Sequence, residues 1–126
     1  MREASTDPTG RPLPAAQLHI LVALADGEKH GYAVMREIEE LTDGEVTMGP
    51  GTLYGAIKRM LSAGLVEETE ERPDPQIDDE RRRYYRLSGL GARVLSAETQ
   101  RMERLVRTAR AKHKRRPQPW ARGHVT

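Results

Sequence analysis

The sequence predicts a mainly α-helical domain that carries one small β-hairpin and ends in a long helix. Apolar residues recur at helical spacing in four segments, which glycine and proline turns separate. Between the third and fourth of these segments, residues 65–70 and 81–87 are candidate strands on either side of a proline-containing loop. Ser88 suits a helix N-cap, and helical spacing then runs through most of the remaining chain.

Composition limits the possible classes of protein. A chain of 126 residues, with 37% hydrophobic residues, no Phe and one Trp, predicts a single small aliphatic core that burial against a partner chain would help. The absence of cysteine excludes disulfides and thiolate metal sites and agrees with the cytoplasm, where we expect the protein. No apolar run approaches the ~20 residues that span a bilayer, so we expect no membrane partner. Met1 to Leu13 lacks an apolar signal core and reads as a disordered arm.

The first two helices are predicted from short apolar stripes that end at Asp-Gly turns. Helix one should cover 15–25 and helix two 30–41, and residues 46–48 can form at most one strand bridge before the next helix. The predicted buried stripes are Leu18, Leu21, Val22 and Ala25 in helix one, and Val34, Ile38 and Leu41 in helix two.

The third helix is the segment on which a functional prediction rests. Pro50 suits its first turn, and Gly64 suits the left-handed residue just past its end. Its apolar stripe is Leu53, Ala56, Ile57, Met60 and Leu61, and its outer face is Thr52, Gly55, Arg59 and Ser62, flanked by Tyr54 and Lys58. That outer face is cationic and has no carboxylate, so it fits a groove lined with phosphates, although a merely solvated face remains the alternative.

Residues at the start of helix two offer a second candidate contact. Glu28 to Tyr32 combines a helix N-terminus, whose free amides attract anions, with a lysine, a histidine and a phenol. The functional interpretation is a phosphate contact. The structural alternative is that His30 caps the helix and Tyr32 packs on its neighbour.

Charge is strongly segregated along the chain. Residues 67–80 hold eight acids and one base, whereas residues 101–116 hold eight bases and one acid. The basic tract suggests a polyanionic partner, although a solvated helical face is the commoner explanation for such spacing.

Three helices, a two-stranded hairpin and a fourth helix form the element order of a winged helix-turn-helix, whose third helix lies in the DNA major groove. Motifs in that order also resemble the PadR family of bacterial transcriptional regulators over about residues 14–95. The motifs are Lys29-His30-Gly31-Tyr32, Pro50-Gly51-Thr52-Leu53-Tyr54, Gly64-Leu65-Val66, and Arg82-Arg83-Tyr84-Tyr85-Arg86-Leu87 before Ser88-Gly89-Leu90-Gly91.

The resemblance implies a homodimeric transcription factor of the short form, with one C-terminal dimerisation helix, usually acting as a repressor at a palindromic operator on double-stranded DNA. In some members a small aromatic or drug-like effector releases the DNA. We expect a disordered arm at 1–13, a DNA-binding domain at 14–87, a dimerisation helix at 88–113 and a flexible basic tail at 114–126. We expect no cofactor and no metal.

Matching motif positions carry the implied contacts onto this chain. The implied DNA-binding residues are Lys29, His30, Tyr32, Gly51, Thr52, Tyr54, Lys58 and Arg59, with the wing residues Arg81, Arg82 and Arg83 on the backbone or minor groove. The implied dimer contacts are Leu18, Leu90, Val94, Met102, Leu105 and Ala109. Hydroxyls suit phosphate oxygens, and an outward lysine or arginine reaches guanine edges.

The sequence also departs from the family pattern. Gly49 stands where the family commonly has a serine or threonine cap, and residues 88–113 contain no aromatic, so the drug-sandwiching mode of some members is not expected. The acidic loop at 74–80 should point away from DNA. Two alternatives remain open, a protein-binding dimer module and a MarR-like regulator. An enzyme is not expected, since Gly49 to Lys58 lacks the order of a phosphate-binding loop and the four histidines are scattered.

Overall fold

A computed structural model describes residues 12–69 and 83–116, which form four helices and a three-stranded antiparallel sheet. In chain order the elements are α1 (Ala15–Ala23), β1 (Lys29–His30), α2 (Gly31–Leu41), α3 (Pro50–Ser62), β2 (Val66–Thr69), β3 (Tyr84–Leu87) and α4 (Gly89–Arg115). The predicted fold class, a winged helix-turn-helix with a long C-terminal helix, is confirmed. Most of the predicted arm at 1–13, the acidic wing loop and the chain after 116 lie outside the described residues.

Helices α1, α2 and α3 bury one side each in a common aliphatic core. The predicted stripe of α3 is confirmed, because Leu53, Ala56, Ile57 and Met60 are buried and Leu61 is half-buried. Large aliphatic side chains at this depth contribute about 1.5–3 kcal/mol each. The orientation of α3 is therefore fixed by its inner face, which leaves the polar face to point outward.

The predicted stripe of α1 is confirmed at Leu21, with Leu18 half-buried, but it was wrong at Val22 and Ala25. Val22 and Ala25 are exposed, whereas Ile20, Leu21 and Leu24 are buried in the core. Residues 20–25 are apolar without interruption, so their periodicity does not single out one face. Tertiary packing decides which of these side chains turn inward.

The sheet contains a strand that the sequence did not predict. Strand β1 pairs with β3, Lys29 opposite Tyr85 and His30 opposite Tyr84, and the sheet order is β1-β3-β2. Residues 46–48, where a bridge was allowed, form no strand, and the turn there is held by the Val46 amide donating to the Thr42 hydroxyl at 3.0 Å. Helix α2 buries Val34 and Ile38 as predicted.

Leu41 was predicted to be buried on α2, and that prediction was wrong. Its side chain is 51% exposed at the last residue of the helix. The stripe of α2 thus ends one turn before the helix does.

The wing, strands β2 and β3, has the composition of a covering flap. Val66 and Tyr85 are buried on its inner side, and Leu65 just before it is fully buried. On the outer side Arg86 lies directly opposite Glu67, with Nε 3.1 Å from the carboxylate. The acidic and basic strands therefore pair with opposite charges facing each other, although an exposed ion pair adds only about 0–1 kcal/mol.

One junction joins α3, the wing and α4. Helix α3 ends in a Schellman motif, in which Gly64 has φ +79° and the Leu65 amide donates to the Met60 carbonyl at 2.9 Å. Ser88 then caps α4 by accepting the Gly91 amide at 2.9 Å, while its hydroxyl donates to the Gly64 carbonyl. The C-terminus of α3 and the N-terminus of α4 are thus held together by the same serine.

Helix α4 extends well past the domain that anchors it. Its 27 residues make a rod about 40 Å long at 1.5 Å per residue. Its buried residues are Gly91, Val94 and Glu98, all in the first half, whereas Leu105 and Val106 are 59% and 47% exposed. The second half of the rod therefore presents apolar and charged side chains that its own domain does not cover.

We predict that Gly91→Ala destabilises the protein, because a Cβ on Gly91 would lie 1.9 Å from the Leu65 carbonyl oxygen. Forcing this backbone apart should lower the free energy of unfolding by about 1–3 kcal/mol, as overpacking generally does. Urea unfolding measures the difference. Gly89→Ala is the matched control, because its Cβ meets only Arg93 Nη1 at 3.6 Å. Equal stability of the two variants would contradict the proposed junction.

Candidate nucleic-acid interface

The outer face of α3 is polar and exposed. Thr52, Lys58 and Arg59 are exposed. Thr52 and Arg59 are seven residues apart, so they lie on the same side of the helix about 10.5 Å apart along its axis. No carboxylate occurs between Pro50 and Ala63. The face is therefore small and cationic, and its size suits a groove about 12 Å wide, the width of the major groove of B-DNA.

The first turn of α3 adds backbone donors to this face. Gly49 occupies the N-cap with φ −75° and ψ 168° and makes no side-chain cap bond. Gly51 and Thr52 follow on the exposed surface. The amides of this turn are therefore not satisfied by a capping side chain, and the positive end of the helix dipole lies beside them. Such a turn suits a phosphate oxygen.

Lys29 is engaged by its own subunit. Its ammonium donates to the Ala23 carbonyl at 2.7 Å, forms an ion pair with Asp26 and lies 3.3 Å from the Glu37 carboxylate. Burial acts to lower the pKa of Lys29, but its hydrogen bonds to Asp26 and Glu37 outweigh it and raise that pKa. The hydrogen bond from Lys29 in turn lowers the pKa of Asp26. Lys29 thus ties the α1–β1 turn to α2.

His30 caps α2 and also contacts the wing. Its Nδ1 accepts the Ala33 amide at 3.2 Å, and its ring meets Tyr84 edge to face at 5.5 Å between centroids. Burial, and secondarily the charge of Arg36, lower the pKa of His30. The geometry therefore supports the structural alternative for His30, in which it caps α2. The neutral form of the ring is the one whose Nδ1 can accept the Ala33 amide.

Tyr54 packs between helices. A Cβ on Gly31 would lie 2.2 Å from the Tyr54 hydroxyl oxygen, so α2 and α3 approach this closely only because residue 31 is glycine. The Tyr54 hydroxyl is buried. The hydroxyl predicted to face phosphate is thus turned towards α2 and buried, although Tyr54 as a whole, like Tyr32, is half-buried.

Of the three wing arginines expected to contact DNA, Arg83 is the one that lies in the described part of the chain. Arg83 is exposed and lies 3.5 Å from the Glu68 carboxylate. A cleft of about 370 Å³ lies between α3 and the wing, and its lining includes Arg83, Glu68, Lys58 and Tyr85. Arg81 and Arg82 lie outside the described residues. The described wing therefore places one cation beside Lys58, with a carboxylate between the two elements.

A groove beside the N-terminus of α3 contains residues that the sequence prediction missed. Its volume is about 520 Å³, and its walls come from α2 and from the turn before α3. Its lining is His30, Tyr32, Met35, Arg36, Glu39, Thr47, Met48 and Pro50. Arg36 is exposed and follows Tyr32 by four residues, a spacing that puts both on one face of α2 and that could have identified it.

Within residues 12–69 and 83–116, no group of three or more His, Asp or Glu side chains is placed to hold a metal ion. No helix there is both long and apolar enough to cross a membrane.

The fold and the acid-free outer face of α3 define a winged-helix protein of the DNA-binding class. Residues 20–97 match the sequence model of the transcriptional regulator PadR-like family. The chain belongs to that family, and it is therefore a DNA-binding transcriptional regulator.

Two relatives of known sequence are similar to this chain. The transcriptional regulator Rv3488 of Mycobacterium tuberculosis is 34% identical over 93 residues, which cover 74% of this chain and 80% of that protein. An uncharacterised 37.1 kDa protein in transposon Tn4556 of Streptomyces fradiae is 39% identical over 90 residues, or 71% of this chain. The match spans only 24% of the Streptomyces protein.

Solved structures give the same fold. A PadR family transcription regulator from Clostridium difficile R20291 has a TM-score of 0.64 and 24% identity, with 78% of this chain and 97% of that chain covered. Bacillus subtilis PadR, solved in complex with operator DNA, has a TM-score of 0.57 and 19% identity, with 68% of this chain and 46% of that chain covered.

We predict that His30 makes stability depend on pH. Its pKa in the folded state is below that of the unfolded chain, so the unfolded chain binds the proton first. The contribution of His30 to the free energy of unfolding is complete above its pKa in the unfolded chain, about 6.5. That contribution is lost as the pH falls towards its pKa in the folded protein. His30→Asn keeps a competent cap that does not titrate and should lose less stability between pH 7.5 and 5.5.

Urea unfolding at both pH values measures this difference. The wild type measured under the same conditions is the reference. An unchanged pH response in His30→Asn would exclude the cap as its source.

Proposed function

We propose that this chain is a homodimeric repressor that reads a palindromic operator, with α3 in the major groove and the wing on the backbone or minor groove. Its site of action would be the cytoplasm, where the DNA lies. The observation that carries the proposal is the joint exposure of Thr52, Lys58 and Arg59 on an acid-free helix face. Repression is favoured because a bound dimer blocks transcription simply by occupying its site.

The first turn and the outer face of α3 have separate roles in this proposal. The exposed Thr52 hydroxyl and the uncapped amides beside it suit phosphate oxygens, which set the register of the helix without reading sequence. Lys58 and Arg59 have the length and the donors to reach guanine O6 and N7. Arg59 is the stronger candidate for base readout, because Lys58 lies beside Arg83 and Glu68 at the wing.

The proposal assigns smaller DNA roles to three of the residues expected from the family motifs. Lys29 stabilises the α1–β1 turn and His30 caps α2, so each would act by positioning the start of α2. Tyr54 would act by spacing α2 from α3. Tyr32, Gly51 and Arg83, together with Arg81 and Arg82, remain proposed contacts with the sugar-phosphate backbone.

A second copy of the chain is proposed to cover the second half of α4. Met102, Leu105, Val106 and Ala109 recur at three- and four-residue spacing, which makes one apolar stripe. Leu105 and Val106 are exposed in the single chain, and so is Val22 on α1. Val94 and Leu90 pack with the core of their own subunit, so we place the interface further along α4 than the family motifs imply.

An effector site is part of the same proposal. The groove beside Pro50 has a volume of about 520 Å³, within the usual range for small-molecule sites. Met35, Met48 and Pro50 give it an apolar floor, while Arg36 and Thr47 supply polar groups. An aromatic compound bound there would lie against the first turn of α3 and would compete with DNA.

We predict that Arg59→Ala weakens binding to the selected operator by about 1–3 kcal/mol, the discrimination that one good base contact supplies. The operator is first obtained by selecting bound fragments from the host genome, and affinity is then measured by fluorescence anisotropy at fixed salt. Arg93→Ala removes an equal charge from the exposed start of α4 and should bind as the wild type does. Unchanged affinity of Arg59→Ala would remove this residue from base readout.

We predict that Leu105→Gln with Val106→Gln shifts the protein from dimer to monomer, because polar side chains at the centre of the apolar stripe oppose its burial. Sedimentation velocity measures the shift, and circular dichroism checks that α4 persists. Thr108→Gln with Ala111→Gln alters the opposite face of the same turns and should leave the dimer intact. A wild-type chain that sediments as a monomer would contradict the proposed assembly.

A further inference from the structure

The second half of α4 carries two faces of different chemistry. At 100° per residue, Met102, Leu105, Val106 and Ala109 form one apolar stripe. Arg107, Arg110 and Lys114 follow one another at i, i+3 and i+7, and Arg104 and Arg115 flank them. Arg107 and Lys114 lie about 130–150° around the helix from the centre of the apolar stripe, whereas Arg110 follows Val106 by four residues and borders that stripe. We call these five residues the basic stripe. Dimerisation through the apolar stripe would therefore leave most of the basic stripe open, with Arg110 at the edge of the interface.

Four of the five residues of the basic stripe form no ion pair with the described part of the chain. All five residues are exposed. In the described part of the chain no carboxylate forms an ion pair with Arg107, Arg110, Lys114 or Arg115. Earlier on the same helix, by contrast, Arg101 is paired with Glu98 at 2.6 Å. The single acid on this face is Glu103, four residues before Arg107.

Local helix energetics explain only part of this pattern. Cations in the last turn favour the negative end of the helix dipole, which accounts for Lys112, Lys114 and Arg115. Arg107 and Arg110 precede that turn. Like charges three and four residues apart destabilise an isolated helix by a few tenths of a kcal/mol, so these residues oppose the helix that carries them. A polyanion bound along the stripe would remove that repulsion.

We propose that the basic stripe of α4 is a second DNA-binding surface, which holds the phosphate backbone of a duplex without reading its sequence. The proposal rests on the proposed function, because it takes DNA to be the polyanion. Glu98 is the last buried residue of α4, and Arg115 is 17 residues further on, so the stripe projects about 25 Å beyond the anchored part of the helix. Contacts at this distance from α3 would add affinity to every sequence equally.

The test measures binding to a 40-base-pair duplex of random sequence over a series of salt concentrations. Arg107→Gln with Arg110→Gln should reduce the slope of log K against log salt by about 1.8 for each protomer that contacts the duplex. The control is Lys112→Gln with Arg116→Gln, which removes the same charge, at Lys112 from the side of the apolar stripe and at Arg116 from the C-cap just past the end of α4. The control should keep the wild-type slope to within the error of one ion.

Three other results overturn the proposal. Equal loss of slope in both double variants would mean that only net charge matters. An unchanged slope in Arg107→Gln with Arg110→Gln would exclude a phosphate contact. If the Arg107→Gln with Arg110→Gln variant loses binding to phosphatidylserine vesicles but keeps its DNA binding, the stripe would be assigned to a membrane surface. Circular dichroism and sedimentation of both double variants verify the helix and its assembly.

Failure of this proposal is separable from failure of the proposed function. If the selected operator is bound and Arg59→Ala weakens it while the stripe variant behaves as wild type, only the stripe is rejected. If the wild-type chain binds no duplex at all, both proposals are rejected together.

Discussion

The close approach of Gly91 to the Leu65 carbonyl is the constraint on which the geometry of this protein depends. The Leu65 carbonyl accepts the Ser88 amide at 3.1 Å and lies where a side chain on residue 91 would have to be. Leu65 itself follows the left-handed Gly64 that ends α3 and precedes the first strand of the wing. Two residues on each side of the wing thus fix α3, the wing and α4 relative to one another.

A comparable close approach operates at the other end of α3. Gly31 lets the Tyr54 ring reach the start of α2, and Lys29 and His30 hold that start against α1 and the wing. With both ends of α3 held and its inner stripe buried, the outer face has little freedom to reorient. Preorganisation of this kind matters for DNA recognition, because a side chain ordered before binding loses less entropy on binding.

The sequence was sufficient to predict the elements with strong local determinants. Pro50, Gly64 and the stripe between them predicted α3, and Ser88 predicted the start of α4. What the sequence could not predict depended on contacts between distant segments. Strand β1 has only two residues and exists because β3 lies beside it, while the all-apolar run in α1 gave no preferred face.

The residues of the candidate site also fall into those that the sequence could predict and those that it could not. Thr52, Lys58 and Arg59 were predicted to be exposed because an amphipathic helix has one inner and one outer face. Tyr54 and Lys29 were assigned to DNA from motif position, and their packing and ion pairs could be recognised only once Gly31 and Glu37 were placed beside them. Arg36 was missed because no motif contained it, although its spacing from Tyr32 placed it on the same face of α2.

Methylation interference on the selected operator tests the central claim most directly, because guanine N7 is accessible only from the major groove. If α3 reads that groove as part of a dimer, methylated guanines should block binding in two patches about one helical turn apart, and Arg59→Ala should relieve the block in both. Interference confined to minor-groove adenines, or a single patch that Arg59→Ala leaves unchanged, would contradict the assignment of α3 as the reading helix.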